Sequence, residues 1–466
     1  MPPHATITSD QATQRPREGL PPPRTAEDAR HRLEETLRRV DAYTENPIWI
    51  TRFTRGEIDR QLAASIDRQK SGIAQPLFGL TFAIKDNIDY AGVPTTAGCP
   101  DFAYTPADSA AAVQKLCDAG AIAVGKTNLD QFATGLVGTR SPYGVVNNPF
   151  NPEYISGGSS SGSAVAVAAG LVDFALGTDT AGSGRVPAAF CNLVGVKPTR
   201  GLVSTAGVVP ACRSLDCVSI FTRTCEEAAR MLDVARGFDE TDIFSRRPEE
   251  LPRSGRPEGA PVSSFRFGIP QDWQLEFFGN HDAEWLYRRA INHAISIGGT
   301  AVEFDYSPFL EAAKQLYGGP WTAERYIACR EMLERRPESM LPITRGIIEA
   351  AVRYTAADAF AAQYKLLELR RRAEREWAKI DALLLPTTGT IYKIAEVEAD
   401  PLQCNTNLGY YTNFVNLLDL CAVAVPNGFQ PNGLPAGVTF MAPAGADDRL
   451  LRLAARFESN ASEESR

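Results

Sequence analysis

Residues 155–187 read ISGGSSSGSAVAVAAGLVDFALGTDTAGSGRVP and contain two glycine-rich tracts joined by a helix and a strand pattern. A glycine–serine tract leads into small residues that predict a helix from about Ser163 to Ala169. The apolar run after it predicts a buried strand that breaks into a second glycine-rich turn. Such composition is most often a flexible linker, but these tracts lie between apolar periodic segments. Because glycine permits positive φ and close backbone approach, each tract predicts a tight turn that holds a serine hydroxyl.

The segments on both sides of this stretch alternate between strand and helix patterns. Upstream, PLFGLTFAIKDNID (76–89) predicts a strand, and AAAVQKLCDAG followed by AIAVGKTN (110–128) predicts a helix and a short buried strand. Downstream, the apolar runs at 381–388, 420–428 and 436–443 predict further buried strands. This alternation predicts an α/β fold with a central mixed β-sheet flanked by helices.

The chain divides by composition into one large domain with a short segment at each end. Residues 1–25 are polar and proline-rich and are predicted to be disordered, and residues 456–466 are predicted to be a polar end or linker. Between them, 26–455 is predicted to be one domain whose first helix starts after an N-cap at Thr25. Helical patterns over about 283–379 predict a helical insert in this domain.

Composition excludes several classes of function. The net charge of −8 does not favour binding to nucleic acid or to an acidic membrane, because both of these surfaces are also negatively charged. No apolar run is long enough to span a membrane, and the N-terminus lacks the apolar core of a signal peptide. The nine cysteines show neither zinc-ligand spacing nor a disulfide framework, which predicts a cytoplasmic protein without a metal site.

Lys85 is the candidate base for a nucleophilic serine, because the four histidines lie far in sequence from both glycine–serine tracts. A lysine in an apolar strand is desolvated, and desolvation lowers its pKa toward neutrality. On position alone, an ion pair of Lys85 with Asp86 or Asp89 is the more frequent alternative. The glycine–serine tracts favour catalysis, since small residues let successive backbone N–H groups converge as an oxyanion hole requires.

Three linked motifs, a lysine within a strand, GGSSxG at 157–162 and GTDxxGSxR at 177–185, resemble the amidase signature family. The resemblance implies Ser183 as nucleophile, Ser159 after a cis peptide bond as proton relay, and Lys85 as general base and acid. It also implies oxyanion donors in the turn after the strand, and no cofactor. Those donors are the backbone N–H groups of Thr180, Ala181, Gly182 and Ser183. Asp179 and Arg185 are expected to brace the turn.

Around these motifs the chain looks like the allophanate hydrolase subgroup of that family, notably at 46–52, 130–144 and 194–221. That resemblance implies substrate binding by Tyr317 and Arg325, eight residues apart, and by the backbone of Gly135. A fixed guanidinium suits a small anionic amide, which it binds through two parallel hydrogen bonds. The alternative is that Arg325 pairs with Glu324 or Glu331 on a helix surface.

The resemblance implies hydrolysis of allophanate to ammonia and N-carboxycarbamate by a homodimer. A further C-terminal domain, usual in allophanate hydrolases and proposed to assist the later decarboxylation, is not found in this sequence. A carboxamide amidase, a glutaminase-type component of a tRNA amidotransferase and a catalytically silent scaffold remain as alternatives.

Overall fold

A computed structural model describes residues 21–251 and 263–461. The strands, in chain order, are β1 Trp49–Arg52, β2 Thr81–Lys85, β3 Ile122–Thr127, β4 Phe174–Asp179, β5 Val194–Lys197, β6 Cys217–Thr222, β7 Phe265–Pro270, β8 Gly299–Phe304, β9 Ala382–Pro386, β10 Leu420–Phe429 and β11 Pro435–Pro443. The α-helices are α1 Ala26–Ala42, α2 Arg55–Lys70, α3 Ala111–Asp118, α4 Ser161–Ala168, α5 Val186–Phe190, α6 Cys225–Ala235, α7 His281–Ser296, α8 Ser307–Gly318, α9 Thr322–Arg335, α10 Pro342–Glu349, α11 Ala356–Trp377, α12 Ile394–Ala399, α13 Gln403–Leu408, α14 Phe414–Leu417 and α15 Asp447–Ala461.

These strands form one mixed sheet, which confirms the predicted fold class. Its order is β1-β3-β2-β4-β6-β5-β10-β11-β9-β7-β8. Strand β2 runs parallel to both β3 and β4, and β7 runs parallel to β8 and β9, whereas the other pairs are antiparallel. Strands β2, β3, β4 and β6 are buried along their whole length, which explains their nearly continuous apolar sequences.

Helix α4 packs closely against strands β2, β3, β4 and β6 because its residues are small. Seven of its eight residues are buried, so it has no polar face to present to water. At Gly162 an added Cβ would lie 2.6 Å from the Ile48 carbonyl oxygen. The small side chains therefore let the helix begin directly behind the first glycine–serine turn.

The structure differs from the predicted boundaries in two places. The interval 283–379 includes β8, which pairs with β7, so only α8 to α11 form the helical insert. The mixed exposure of β8 lacks the clean alternation by which a strand is recognised. At the other end, α15 crosses the predicted domain end at 455 and continues to Ala461, and the Phe457 side chain is buried in the core.

Other features of the ends agree with prediction where they are described. Thr25 caps α1 by accepting a hydrogen bond from the Asp28 N–H, in a reciprocal capping box. Of the segment 1–25 that is predicted to be disordered, residues 1–20 lie outside the described residues, whereas 21–25 are described and Pro23 is buried. The nine cysteines, all in the described part, form no disulfide. Within 21–251 and 263–461, no helix is long and apolar enough to cross a membrane.

Candidate active site

The carboxyl ends of three neighbouring parallel strands set the position of the site. Strand β2 ends at Lys85, β3 ends at Thr127 and continues into a buried loop, and β4 ends at Asp179. Because parallel strands end at the same edge of a sheet, the segments after them converge there. The first glycine–serine turn reaches the same edge from the N-terminus of α4.

Lys85 lies inside this convergence and is 0% exposed. Its Nζ lies 2.7 Å from Ser159 Oγ and 2.8 Å from Thr178 Oγ1. Burial lowers the pKa of Lys85 to about 7, although the carboxylates of Asp130, Asp216 and Asp179 oppose that shift. A lysine in this state exchanges a proton near neutral pH.

The carboxylates next to Lys85 in sequence have other partners. Asp86 Oδ1 lies 3.2 Å from Lys126 Nζ, and the Thr95 hydroxyl donates to Asp89 at 2.7 Å. The alternative of a simple ion pair for Lys85 is therefore wrong. Adjacent residues of a strand point to opposite faces, which separates Lys85 from Asp86.

The Ser159 turn is held by the loop that follows β3. The Gly158–Ser159 peptide is cis, as the sequence resemblance implies. The Gly158 N–H donates to the Leu136 carbonyl at 2.8 Å, and the Asp130 N–H donates to the Ser159 carbonyl at 3.1 Å. Ser159 is thus fixed on its backbone while its hydroxyl faces Lys85.

The turn after β4 is braced by a buried ion pair. Arg185 donates from Nε and Nη2 to the two oxygens of Asp179, at 2.8 and 2.9 Å, and both side chains are fully buried. Gly182 has φ +147°, and an added Cβ there would lie 2.6 Å from Thr412 Oγ1. The expectation that Asp179 and Arg185 brace this turn agrees with these contacts.

The four backbone N–H groups of residues 180–183 donate no hydrogen bond to any other residue in the described ranges. Buried N–H groups are nearly always paired, so four successive exceptions are unusual. All four residues are buried. Unpaired donors at one turn suit a ligand oxygen that carries negative charge.

Residues 133–136 contact Arg325, Ser183 and the turn that holds Ser159. Arg325 Nη1 donates to the Ala133 carbonyl at 3.3 Å and to Thr134 Oγ1 at 3.0 Å. Next along the chain, Ser183 Oγ lies 3.5 Å from the Gly135 carbonyl oxygen, and Leu136 holds the Ser159 turn. This four-residue segment therefore brings Arg325 and both serine turns together.

Arg325 is 1% exposed, and no carboxylate in the described part of the chain lies within 4 Å of its guanidinium. Its Nη2 donates to the Tyr317 hydroxyl at 3.2 Å, and its Nε has no partner. Glu324 accepts from the Ser214 N–H at 2.8 Å, and Glu331 lies 2.6 Å from Arg335. The alternative of a surface ion pair for Arg325 is wrong.

Comparison with known proteins agrees with this geometry. The profile of the amidase family matches residues 32–451. The chain belongs to the amidase family. It is an amidohydrolase, an enzyme that acts on C–N bonds.

Three individual relatives show which members of the family this amidase resembles. It is 43% identical over 439 residues to urea amidolyase of Lachancea kluyveri, covering 93% of this chain but only 23% of that protein. The structure of Kluyveromyces lactis allophanate hydrolase matches with a TM-score of 0.87 and 42% identity, covering 97% of this chain and 72% of that one. A component of the glutamyl-tRNA(Gln) amidotransferase of Salinibacter ruber is 33% identical, covering 90% of this amidase and 94% of its own length.

Sequence reasoning missed several residues of the amidase site. Thr178 is the second partner of Lys85, and Asp130 shapes the loop after β3 by accepting from the Gly138 and Arg140 N–H groups at 3.0 and 2.9 Å. An acidic residue inside a buried loop is a usable signal, because burial of a carboxylate requires partners.

The described histidines of the amidase have partners away from these turns. His31 lies 3.7 Å from Glu35 on α1, and His281 is at the exposed start of α7. His293 Nε2 lies 2.8 Å from the Phe457 carbonyl oxygen. His4 lies outside the described residues.

Proposed function

We propose that this amidase hydrolyses allophanate, the anion urea-1-carboxylate, to ammonia and N-carboxycarbamate. The observation that carries the proposal is the buried guanidinium of Arg325, which has no carboxylate partner in the described residues. It donates to Thr134, which directly precedes the Gly135 carbonyl that contacts Ser183. The similarity to Kluyveromyces lactis allophanate hydrolase supports the same substrate. Because the chain spans 23% of the urea amidolyase length, the proposal concerns the hydrolytic step alone.

The donors left on Arg325 fit a carboxylate. Nη1 donates to residues 133 and 134, Nη2 donates to Tyr317, Nε has no partner, and the Cys212 side chain also lies against the guanidinium. We propose that Nε–H and the second N–H of Nη2 bind the substrate. These two atoms form one edge of the guanidinium, the same edge with which Arg185 binds Asp179 here. A substrate carboxylate in that position receives two parallel hydrogen bonds and a counter-charge.

The catalytic roles rest on the contact between Lys85 and Ser159. Neutral Lys85 accepts the proton of the Ser159 hydroxyl, and Ser159 accepts the proton of Ser183 as Ser183 Oγ attacks the terminal carboxamide carbon. The C–N bond then breaks, and protonated Lys85 returns a proton through Ser159 to the departing ammonia. The product of this half-reaction is an acyl-enzyme on Ser183.

Water completes the cycle by the reverse proton path. Lys85, again neutral, takes a proton through Ser159 from a water molecule that attacks the acyl carbon. Protonated Lys85 returns that proton through Ser159 to Ser183 Oγ as the acyl C–O bond breaks, which regenerates Ser183 and releases N-carboxycarbamate. This product breaks down to ammonia and carbon dioxide. The backbone N–H groups of Thr180, Ala181, Gly182 and Ser183 are the proposed donors to the oxyanion in both steps.

The orientation of the substrate is proposed to depend on three groups besides the catalytic residues. Arg325 binds the carboxylate, Tyr317 holds the guanidinium through its hydroxyl and lies with its ring centroid 5.1 Å from Arg325 Cζ, and the Gly135 backbone contacts the substrate beside Ser183. Fixing both ends of a small molecule places its carbonyl carbon at the nucleophile.

A substrate panel tests the assignment. Ammonia release is measured with allophanate, biuret, malonamate and propionamide, with Ser183→Ala as the inactive control. We expect kcat/KM to be highest for allophanate, and preferred turnover of neutral amides would refute the substrate assignment. Glutamine as the preferred substrate would favour the amidotransferase-type alternative suggested by the Salinibacter ruber relative.

We further propose a cytoplasmic homodimer acting in urea degradation. Nine cysteines without a disulfide support a reducing compartment, and the urea amidolyase relatives support the pathway. Sedimentation velocity tests the dimer, since a monomer at micromolar concentration would contradict it.

A further inference from the structure

Asp216 is a buried carboxylate that no step of the proposed mechanism uses. It lies in the loop just before β6, and its side chain accepts three hydrogen bonds. The Thr180 hydroxyl and the Cys212 N–H donate to Oδ1, and the Ala211 N–H donates to Oδ2 at 2.8 Å. One of these partners, Thr180, begins the turn of unpaired backbone N–H groups.

The loop that holds Asp216 also contacts the helical insert. Cys212 Sγ lies 3.4 Å from the Trp321 carbonyl oxygen, and the Ser214 N–H donates to Glu324 at 2.8 Å. Trp321 and Glu324 stand at the start of α9, the helix that carries Arg325. Asp216 therefore connects the turn after β4 to the loop that anchors this helix.

We propose that Asp216 is a positioning residue, which orients the oxyanion turn by holding the Thr180 side chain. The proposal rests on the oxyanion role proposed above for residues 180–183. Thr180 is the first residue beyond β4, so its side chain fixes the direction in which the turn leaves the sheet. The Asp179–Arg185 pair joins the two ends of the same turn, and the Thr180 side chain is a further point at which the turn is held.

The protonation state of Asp216 is consistent with this role at neutral pH. Burial raises the pKa of Asp216 to about 6, while hydrogen bonds from Thr180, Cys212 and Ala211 and the charge of Arg325 oppose the shift. The carboxylate also lines a cavity of about 230 Å³ together with Arg213 and Asp242. Above its pKa the ionised group accepts from all three donors at once.

A purely structural role would produce the same contacts, so the test needs a matched control. Asp447 is a second buried aspartate that accepts from a threonine, through the Thr199 N–H at 2.8 Å and the Thr199 hydroxyl at 2.5 Å. Thr199 follows β5, and none of its hydrogen bonds reaches the site residues. Asp447→Asn therefore measures the cost of losing a buried carboxylate elsewhere in the fold.

The experiment compares Asp216→Asn with Asp447→Asn in steady-state kinetics and thermal unfolding, using whichever amide the wild-type enzyme hydrolyses. We expect Asp216→Asn to lower kcat by about 10²-fold with little change in KM, the effect of misplacing an oxyanion donor. Asp447→Asn is expected to leave kcat unchanged. If allophanate is not turned over but another amide is, the substrate proposal fails while this test still proceeds.

Variants at Thr180 keep the test decisive if Asp216→Asn does not fold. Thr180→Ser retains the hydroxyl and is expected to lose less kcat than Thr180→Val, which removes the hydroxyl and is expected to lose about as much as Asp216→Asn, or about 10²-fold. Because the two residues act as one unit, the double variant should lose no more than either single one. Unchanged kcat in Thr180→Val, or equal kcat losses in Asp216→Asn and Asp447→Asn, would overturn the proposal.

Discussion

Replacing Arg325 with alanine is expected to remove the preference for an anionic substrate. The guanidinium has an unpartnered N–H on Nε and a second N–H on Nη2 besides the one that Tyr317 accepts, and each charge-assisted hydrogen bond contributes about 1.5–3 kcal/mol. Two such bonds, less the cost of desolvating the substrate carboxylate, give about 3–4 kcal/mol. That energy corresponds to about 10²–10³-fold in kcat/KM.

Allophanate and biuret form the matched pair of substrates for this test. Biuret carries a carboxamide where allophanate carries the carboxylate, and the two molecules otherwise have the same skeleton. Steady-state ammonia release is measured for both with wild type, Arg325→Ala and Arg325→Lys. Lysine keeps the charge without the planar edge, so an intermediate loss is expected from Arg325→Lys.

The same side chain also braces the loop after β3, through Thr134 and Ala133, and the biuret rate controls for damage to that loop. If the reasoning is correct, Arg325→Ala loses activity on allophanate, mainly through KM, while biuret hydrolysis changes far less. An equal loss on both substrates would refute charge recognition and assign Arg325 a structural role. An unchanged KM for allophanate would refute it as well.

Four further outcomes are expected. The value of kcat/KM should rise with pH through about 7 and then level, because Lys85 with its lowered pKa is the base only when neutral. Ser183→Ala should abolish ammonia release but still bind allophanate, as measured by calorimetry. Tyr317→Phe should raise KM for allophanate by about 5–10-fold, since the lost hydrogen bond to the guanidinium contributes about 1 kcal/mol. Asp179→Asn should lower the free energy of unfolding by about 3–5 kcal/mol in urea titration, because the buried guanidinium loses its partner.

Controls separate these outcomes from trivial causes. Arg371→Ala breaks an exposed pair with Glu374 at 3.0 Å and should change the free energy of unfolding by less than about 1 kcal/mol. An equally small decrease in the free energy of unfolding for Asp179→Asn would contradict the stabilising role of the buried Asp179–Arg185 pair. Because the pKa of Lys85 is about 7, kcat/KM is measured between pH 6 and 8, where circular dichroism reports a folded chain. A value of kcat/KM that does not change over this range would contradict the role of Lys85.

The sequence predicted the local elements of the site well, because those depend on neighbouring residues. Lys85 at the end of an apolar strand and the two glycine–serine turns follow from composition and periodicity. The contacts between them do not, since Lys85 meets Ser159 across 74 residues and Thr178 across 93. Before the structure, only the resemblance to a family linked Lys85 to Ser159, and the contact with Thr178 was not predicted.

The same limit applies to the sheet. Strands β10 and β5 are adjacent although more than two hundred residues separate them, and no periodicity encodes that pairing. Strand β8 was hidden within a helical stretch because its residues are neither fully buried nor regularly alternating. The predicted end of the domain, at 455, falls inside α15 because the polar residues near the end of the chain obscure the buried Phe457.

Residues 133–136 have a consequence for how such an enzyme changes over evolution. Under the proposed roles, residues at the edge of the sheet break the C–N bond, and side chains on helices α8 and α9 recognise the substrate. Arg325 on α9 is connected to that edge by its hydrogen bonds to the loop of residues 133–136. New side chains on those helices can admit a different molecule while the proton path from Lys85 stays intact. Substitutions that change the substrate can therefore accumulate on α8 and α9 without altering the catalytic residues, which lie in an earlier part of the sequence.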